Sequence, residues 1–179
     1  MVIEFKDDCG TLTACGGQPS GKYNYTHACL SMTALGGVCS EGSPQNLQLS
    51  GSGAGTLDFT NTSISQDVSW DVTGTVTLPS TCTLKGIPIP IWKSCDKIGP
   101  KVEQMAGFKG LTCTNGANSS VCSCTINQKS SSKATGTLKS STFTLTDADG
   151  TTTYNFCLQN GSLQYQEVNK TESVYTVKQ

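Results

Sequence analysis

The feature that most constrains the fold is a strict alternation of apolar and polar residues over Val68–Leu78. Apolar side chains or glycine recur at every second position, and Ser, Asp and Thr occupy the positions between them. A period of two is typical of a β-strand that buries one face and exposes the other. The run therefore predicts a long strand that needs a second layer over its apolar face. Gly74, on the apolar face, predicts a bend or bulge in mid-strand.

Shorter alternating runs predict eight to ten strands in all. The two hairpin signals are Asp149-Gly150 and Asn160-Gly161, which tolerate the positive φ of tight turns. A further hairpin is expected to pass through a loop at Ser130–Ser132. In the first strand, the alternation places Tyr23, Tyr25, His27 and Cys29 on one face. The first strand is Lys22–Leu30, and the strands predicted besides it and Val68–Leu78 are residues 56–60, Val121–Gln128, Lys133–Lys139, Phe143–Thr146, Thr152–Leu158, Leu163–Val168 and residues 175–177.

Half-buried strands joined by tight hairpins predict an all-β fold. We expect an antiparallel up-and-down β-barrel of about eight to ten strands, because closure removes exposed sheet edges. A β-sandwich is the alternative. The length of 179 residues fits a single domain, which we place at residues 9–179. It carries a Pro-rich excursion at residues 79–110, with a short helix at Lys101–Ala106. Residues 1–8 resemble a solvated tail or a leader added for expression.

Ten cysteines, an even number, predict up to five disulfides and an oxidising compartment. We therefore expect a secreted, periplasmic or outer-surface protein. The pairing stays open, although a Cys82–Cys95 bond would pin the Pro-rich excursion. Cys122-Ser-Cys124 could alternatively hold a soft metal such as Cu(I), because both thiols would share one strand face. The cysteines are Cys9, Cys15, Cys29, Cys39, Cys82, Cys95, Cys113, Cys122, Cys124 and Cys157.

Charge and motif content argue against several function classes. The net charge is −1, and all 12 basic residues are lysine, so nucleic-acid binding is not expected. No apolar run reaches the roughly 18 residues of a membrane-spanning helix. The sequence contains a single histidine, His27, and no nucleophile motif with which it could form a catalytic site. Asp147-Ala-Asp149-Gly150 resembles the start of a calcium loop, but Leu158 stands where the last ligand would be. We predict no enzyme activity, no metal and no cofactor.

Three motifs carry a resemblance to a known group of proteins. They are the opening strand after Gly16-Gly17, with Tyr23 where lipocalins have Trp, then Cys122-Ser-Cys124, and then the segment Leu145–Cys157. The chain resembles the cysteine-rich, lipocalin-like secreted proteins and lipoproteins of the deltaproteobacterial, myxobacterial type. The resemblance covers about residues 9–168. It implies a lipocalin-like barrel and an exported address, and lipid anchoring is compatible with it.

Two functions follow from these expectations. The first is an exported, non-catalytic binding protein that holds a small apolar molecule in or at the mouth of a β-barrel. The second is a structural or adhesive cell-surface protein whose filled barrel contacts an envelope or cell-surface partner. The two differ in whether the inward aromatic side chains leave a void. These ligand-binding candidates are Tyr23, Tyr25, Phe59, Trp70, Phe143, Tyr154, Phe156 and Tyr165.

The segment Gly86–Trp92 is a candidate contact loop. Its two prolines, Pro88 and Pro90, cannot donate ladder hydrogen bonds, and both of its sides are apolar. We expect it to lie at a barrel end and to close the cavity or touch the partner. Its candidate contact residues are Ile87, Ile89, Ile91 and Trp92.

Overall fold

The computed structural model describes residues 1–33, 38–41, 44–61, 63–84, 95–106, 109–116 and 121–179. Among the described residues, strands make up 66% and helices 7%, so the all-β prediction is confirmed. The predicted contact loop, with Ile87, Ile89, Ile91 and Trp92, lies outside the described residues. The strands are β1 Val2–Lys6, β2 Gly21–Ser31, β3 Cys39–Glu41, β4 Gln45–Thr60, β5 Ser63–Leu78, β6 Thr83–Leu84, β7 Leu111–Asn115, β8 Cys122–Leu138, β9 Thr142–Thr146, β10 Thr151–Gln159, β11 Ser162–Glu167 and β12 Ser173–Lys178.

Ten of the strands form one sheet that closes in a ring. The order is β5-β4-β1-β2-β12-β11-β10-β9-β8-β7, and β5 also pairs with β8 while β4 also pairs with β2. The antiparallel hairpins β9–β10 and β10–β11 turn at the two predicted signals, and Asn160 and Gly161 both have positive φ. β3 and β6 form a separate pair. The lipocalin-like barrel itself stays a prediction.

The chain divides into two compact units. Unit 1 comprises residues 1–31, 51–70 and 130–179, and unit 2 comprises residues 32–50 and 71–129. The aromatic core described below lies in unit 1. Unit 2 contains a 3₁₀ turn at Cys95–Lys97 and the helix α1, Gly99–Ala106, which includes the predicted helical segment.

The prediction of a solvated tail is wrong for residues 2–6, which form β1. This strand pairs in parallel with β2 and antiparallel with β4, where Ile3 lies opposite Gly51. Ile3 is 6% exposed, and a side chain on Gly51 would crowd it. The run Val-Ile-Glu-Phe is short, so its sequence pattern alone carries little weight. Glycines on the partner strand supply the space that lets Ile3 pack inward.

The hairpin expected at Ser130–Ser132 is also wrong. Residues 122–138 form one continuous strand of 17 residues, β8. Exposed and half-buried positions alternate from Asn127 through Lys133, so the pleat is kept across the three serines. The segment contains neither Gly nor Asn at the position where a tight turn would need positive φ. Serine is compatible with an extended strand as well as with a loop, and the neighbouring strands decide between them.

A β-bulge in β2 overturns the prediction that four of its side chains share one face. The pairing of β2 with β12 moves from Thr176 opposite His27 to Val177 opposite Tyr25, which leaves Thr26 as the extra residue. One extra residue reverses the alternation beyond it. Tyr25 therefore faces the core, whereas His27 and Cys29 lie on the outer face, where His27 approaches Glu4.

All ten cysteines are in disulfides, so the prediction of five is confirmed. Unit 1 contains the Cys9–Cys29 and Cys15–Cys157 bonds. Unit 2 contains the other three, and the expected Cys82–Cys95 bond is wrong, because proximity in the folded sheet and not in sequence selects the partners. The unit 2 pairs are Cys39–Cys82, Cys95–Cys122 and Cys113–Cys124.

Candidate functional site

The eight aromatic residues predicted to point inward lie together in the core of unit 1. Six of them are buried, with exposures of at most 5%. The other two, Trp70 and Tyr154, are half-buried and pack against the same cluster. The buried six are Tyr23, Tyr25, Phe59, Phe143, Phe156 and Tyr165.

The rings of this cluster touch one another directly. Phe143 is central, and its ring centroid lies 5.2 Å from that of Tyr165, 5.3 Å from Tyr154, 5.9 Å from Phe156 and 6.1 Å from Phe59. These separations are those of edge-to-face and offset-stacked aromatic pairs in direct contact. Phe143 therefore packs directly against the four rings around it.

Polar atoms are also buried in this core. The hydroxyls of Tyr25 and Tyr165 hydrogen-bond to each other. The Nε2 of Gln66 donates to both hydroxyls, at 3.1 Å for Tyr165. We call these three side chains the tyrosine–glutamine triad. Its hydrogen bonds satisfy hydroxyl groups that would otherwise be buried without partners. Each hydroxyl buried without a partner would lower the stability by roughly 1–3 kcal/mol.

Burial changes the acidity of the phenols around the triad. Loss of hydration in the core raises the pKa of Tyr25 and of Tyr165 well above the ordinary tyrosine value. The same effect raises the pKa of Tyr154 to about 12 and also raises the pKa of Tyr175, whose ring stacks on Tyr165 at 5.0 Å. These phenols remain neutral at physiological pH and act as hydrogen-bonding groups.

Gln66 is a core residue that the sequence alternation did not identify. It precedes the predicted strand Val68–Leu78, which extends further towards the N-terminus and begins at Ser63. Its position has the inward parity of Ile64 and Val68, which are both buried. This position in the alternation is the only sign in the sequence that Gln66 faces inward. Glutamine is polar, so a search for apolar residues at inward positions does not find it.

The outer face of unit 1 carries an open groove lined by hydroxyl groups. It consists of two adjoining concavities of about 390 and 380 Å³ that share Ser65, Thr135 and Thr146. β8 and β9 are in register there, with Thr135 opposite Thr146 and Thr137 opposite Thr144. Outward positions on neighbouring strands thus bring their hydroxyls together. We call this the hydroxyl groove, and its hydroxyl residues include Ser63, Ser65, Thr135, Thr137, Thr144 and Thr146.

One ion pair marks an end of the hydroxyl groove. The Nζ of Lys133 lies 3.0 Å from Oδ2 of Asp67, and both side chains are more than half exposed. The two charges cancel, and an exposed pair of this kind contributes little to stability. Gly136 lies in the groove, and a Cβ there would overlap the carbonyl oxygen of Thr144. Glycine therefore permits the close approach of β8 and β9.

The cysteines and aspartates that the sequence offers as metal ligands take part in other interactions. Cys122 and Cys124 are both fully buried and both in disulfides, so neither supplies a thiolate to a metal. Asp147 caps its own turn, and its Oδ1 accepts from the backbone N–H groups of Asp149 and Gly150. In the part of the chain that the structure describes, no group of three or more His, Cys, Asp or Glu side chains could hold a metal ion. None of the helices described there has the length and apolarity to cross a membrane.

The fold and the disulfides together define a class. The chain is an all-β protein whose ten-stranded sheet closes in a ring and whose five disulfides suggest an oxidising, extracellular or periplasmic compartment. No protein-family model, curated protein or solved structure matches this chain.

Proposed function

We propose that this chain is an exported, non-catalytic surface protein of the structural or adhesive kind. Its aromatic interior serves as a scaffold, and its outer face contacts an envelope or cell-surface partner. The observation that carries the proposal is the direct packing of Phe143 against four neighbouring rings. A core filled in this way favours a structural role for the inward aromatic residues over a ligand-binding one.

The pattern of disulfides supports the exported address. Each unit has its own cross-links, two in unit 1 and three in unit 2. A chain of this length can bury an adequate core without them. Disulfides at this density therefore suit a protein that must keep its shape outside the cell, where nothing refolds it.

The test is a search for an apolar ligand in the purified protein. Native mass spectrometry should find a single mass, that of the protein without a ligand. The fluorescence of N-phenyl-1-naphthylamine should show no saturable increase when protein is added. A stoichiometric bound molecule, or saturable probe binding that a fatty acid displaces, would contradict the filled-scaffold proposal and favour the small-ligand function.

The matched control is Phe143→Ala, which removes the ring at the centre of the cluster. Engineered cavities of this kind in other proteins bind small apolar molecules such as benzene. The variant should therefore bind benzene, as measured by nuclear magnetic resonance, where the wild type does not. We expect it to unfold with a free energy about 3–5 kcal/mol lower, the usual cost of a buried Phe→Ala change.

A further inference from the structure

We propose that the hydroxyl groove is a binding site for a neutral glycan chain. This deepens the proposed surface function and rests on it, because it names the chemistry of the partner. The groove lies across β5, β8 and β9 on the outer face of unit 1. Its two concavities, of about 390 and 380 Å³, are each within the roughly 300–1,000 Å³ that small-molecule sites occupy.

The side chains that line the groove indicate which class of ligand it can bind. Ser63, Ser65, Thr135 and Thr137 are exposed, and a hydroxyl group can donate one hydrogen bond and accept two. The hydroxyl of Ser63 already bonds to Thr60, so only part of its capacity is left for a ligand. The Oγ1 atoms of Thr137 and Thr144 bond to each other at 3.1 Å, which leaves part of their capacity for a ligand. The lining also includes apolar groups, among them Ile64 and Ala134, so a ligand that matches it carries many donors and acceptors of its own together with some apolar surface. A glycan meets both requirements.

Charge narrows the class to neutral glycans. The charged side chains that line the groove are Asp67 and Lys133, and they pair with each other. An anionic glycan would need unpaired cations, as other polyanions do. The carboxylate of Asp67 can accept hydrogen bonds from sugar hydroxyls while it stays paired with Lys133, because Lys133 contacts only one of its two oxygens and a carboxylate has about four acceptor sites.

Strand topology argues against a peptide as the ligand. A peptide that binds a sheet usually adds a strand to a free edge. Here β9 pairs with β8 and β10, and β5 pairs with β4 and β8, so these backbones already have partners on both sides. A ligand in the groove must therefore be bound by side chains and not by the backbone. Sheets also twist by roughly 20–25° per strand, which suits a flexible chain better than a flat crystalline surface.

Affinity electrophoresis provides the test. The wild-type protein is run in native gels that contain dextran, laminarin or arabinoxylan, with heparin as the anionic comparison. We expect retardation by at least one neutral polysaccharide and none by heparin. The variant with Thr137→Val and Thr144→Val should lose at least about tenfold in affinity, the effect of losing two ordinary hydrogen bonds. Valine keeps the shape and the strand preference of threonine.

The matched control is the variant with Thr112→Val and Thr114→Val. These threonines are exposed on β7, away from the groove residues in sequence and within unit 2. They should leave retardation unchanged. A second groove variant, Ser65→Trp, fills the concavity without removing the paired threonines and should also abolish retardation. Thermal unfolding followed by circular dichroism shows that each variant is folded.

The possible outcomes separate this proposal from the proposed function. Failure of the neutral polysaccharides and of a printed array of neutral glycans to bind the wild type overturns the glycan site. Equal retardation of wild type and groove variants places binding elsewhere and overturns it as well. Neither result bears on the filled core, which the apolar-ligand experiment tests by itself.

Discussion

The hydroxyl of Tyr25 hydrogen-bonds to the hydroxyl of Tyr165 in the core of unit 1, although 140 residues separate them in sequence. Gln66, on a third strand, donates to both. These three hydrogen bonds tie together β2, β5 and β11, beside the rings of Tyr154 and Tyr175 that pack on Tyr165. Burial makes such a contact demanding, because each of its atoms needs a partner inside the protein.

The triad predicts a measurable cost for removing one hydroxyl. Tyr165→Phe deletes an oxygen that bonds to both Tyr25 and Gln66, and each of these loses one partner in the core. We expect the free energy of unfolding to fall by about 1–3 kcal/mol. Urea denaturation monitored by circular dichroism measures it. Tyr23→Phe is the control, since Tyr23 belongs to the same core but not to the triad, and a loss equal to the control's would refute the role of the triad.

Stability should fall at alkaline pH. Burial raises the pKa of Tyr25, Tyr165 and Tyr175, and that of Tyr154 to about 12, whereas unfolded tyrosines titrate near about 10. The unfolded chain therefore releases protons first as the pH rises. The contribution of these tyrosines is complete below about pH 10 and is lost progressively above it, by up to about 1.4 kcal/mol per pH unit for each.

The measurement is the free energy of unfolding between about pH 8 and pH 11, together with tyrosinate absorbance in the native state. The absorbance due to Tyr25, Tyr154, Tyr165 and Tyr175 should rise sharply only when the protein unfolds. Tyr154→Phe should make the decline with pH shallower. A native protein whose tyrosines all ionise near about pH 10 before it unfolds would contradict the burial of these phenols.

Local patterns predicted the parts of this fold that depend on neighbouring residues. The alternation around Val68 identified the inward face of β5, and Asn160-Gly161 identified the β10–β11 turn. The eight aromatic residues were placed together because each stands at an inward position of its own strand. In these regions, local propensity and tertiary packing agree, so the sequence pattern was sufficient.

The parts that could not be predicted depend on distant residues. The bulge at Thr26 has no sequence marker, and it alone turns His27 and Cys29 outward. β1 is ordered by glycines of β4, which the local sequence of residues 2–6 does not contain. The hydroxyl groove likewise needs the register of β8 against β9, because separate threonines indicate only exposed strand faces. The disulfide pairing follows from the same long-range register.

The Cys15–Cys157 disulfide should stabilise the fold more than the Cys113–Cys124 disulfide, because it closes a longer loop. The first closes 142 residues and the second only 11. The chain-entropy model gives about 5 and about 3 kcal/mol, and the larger figure is an upper estimate because other disulfides already shorten that loop. Replacing both cysteines of each pair with alanine and measuring denaturant unfolding compares them. A smaller loss for the Cys15–Cys157 pair would show that chain entropy does not dominate.

Gln166 offers a test of how the segment after Cys9 is held. It is 3% exposed, its Oε1 accepts from the backbone N–H of Leu12 at 2.7 Å, and its Nε2 donates to the carbonyl of Gly10 at 2.8 Å. In Gln166→Glu, a carboxylate cannot donate and would face that carbonyl. We expect a loss of about 3 kcal/mol or more at neutral pH, because the group left unsatisfied is charged.

This loss should depend on pH in a defined direction. Burial disfavours a charged carboxylate, so the carboxyl group introduced by Gln166→Glu should have a folded pKa above the roughly 4.3 of an unfolded glutamate. When protonated, it can donate to Gly10 again. The difference in unfolding free energy between variant and wild type should therefore be small below about pH 4 and grow as the pH rises towards the raised pKa. Gln164→Glu, at an exposed position on the same strand, should show no such trend. A deficit that is equally large at both ends of the pH range would mean that the amide of Gln166 does not hold the segment through its hydrogen bond to Gly10.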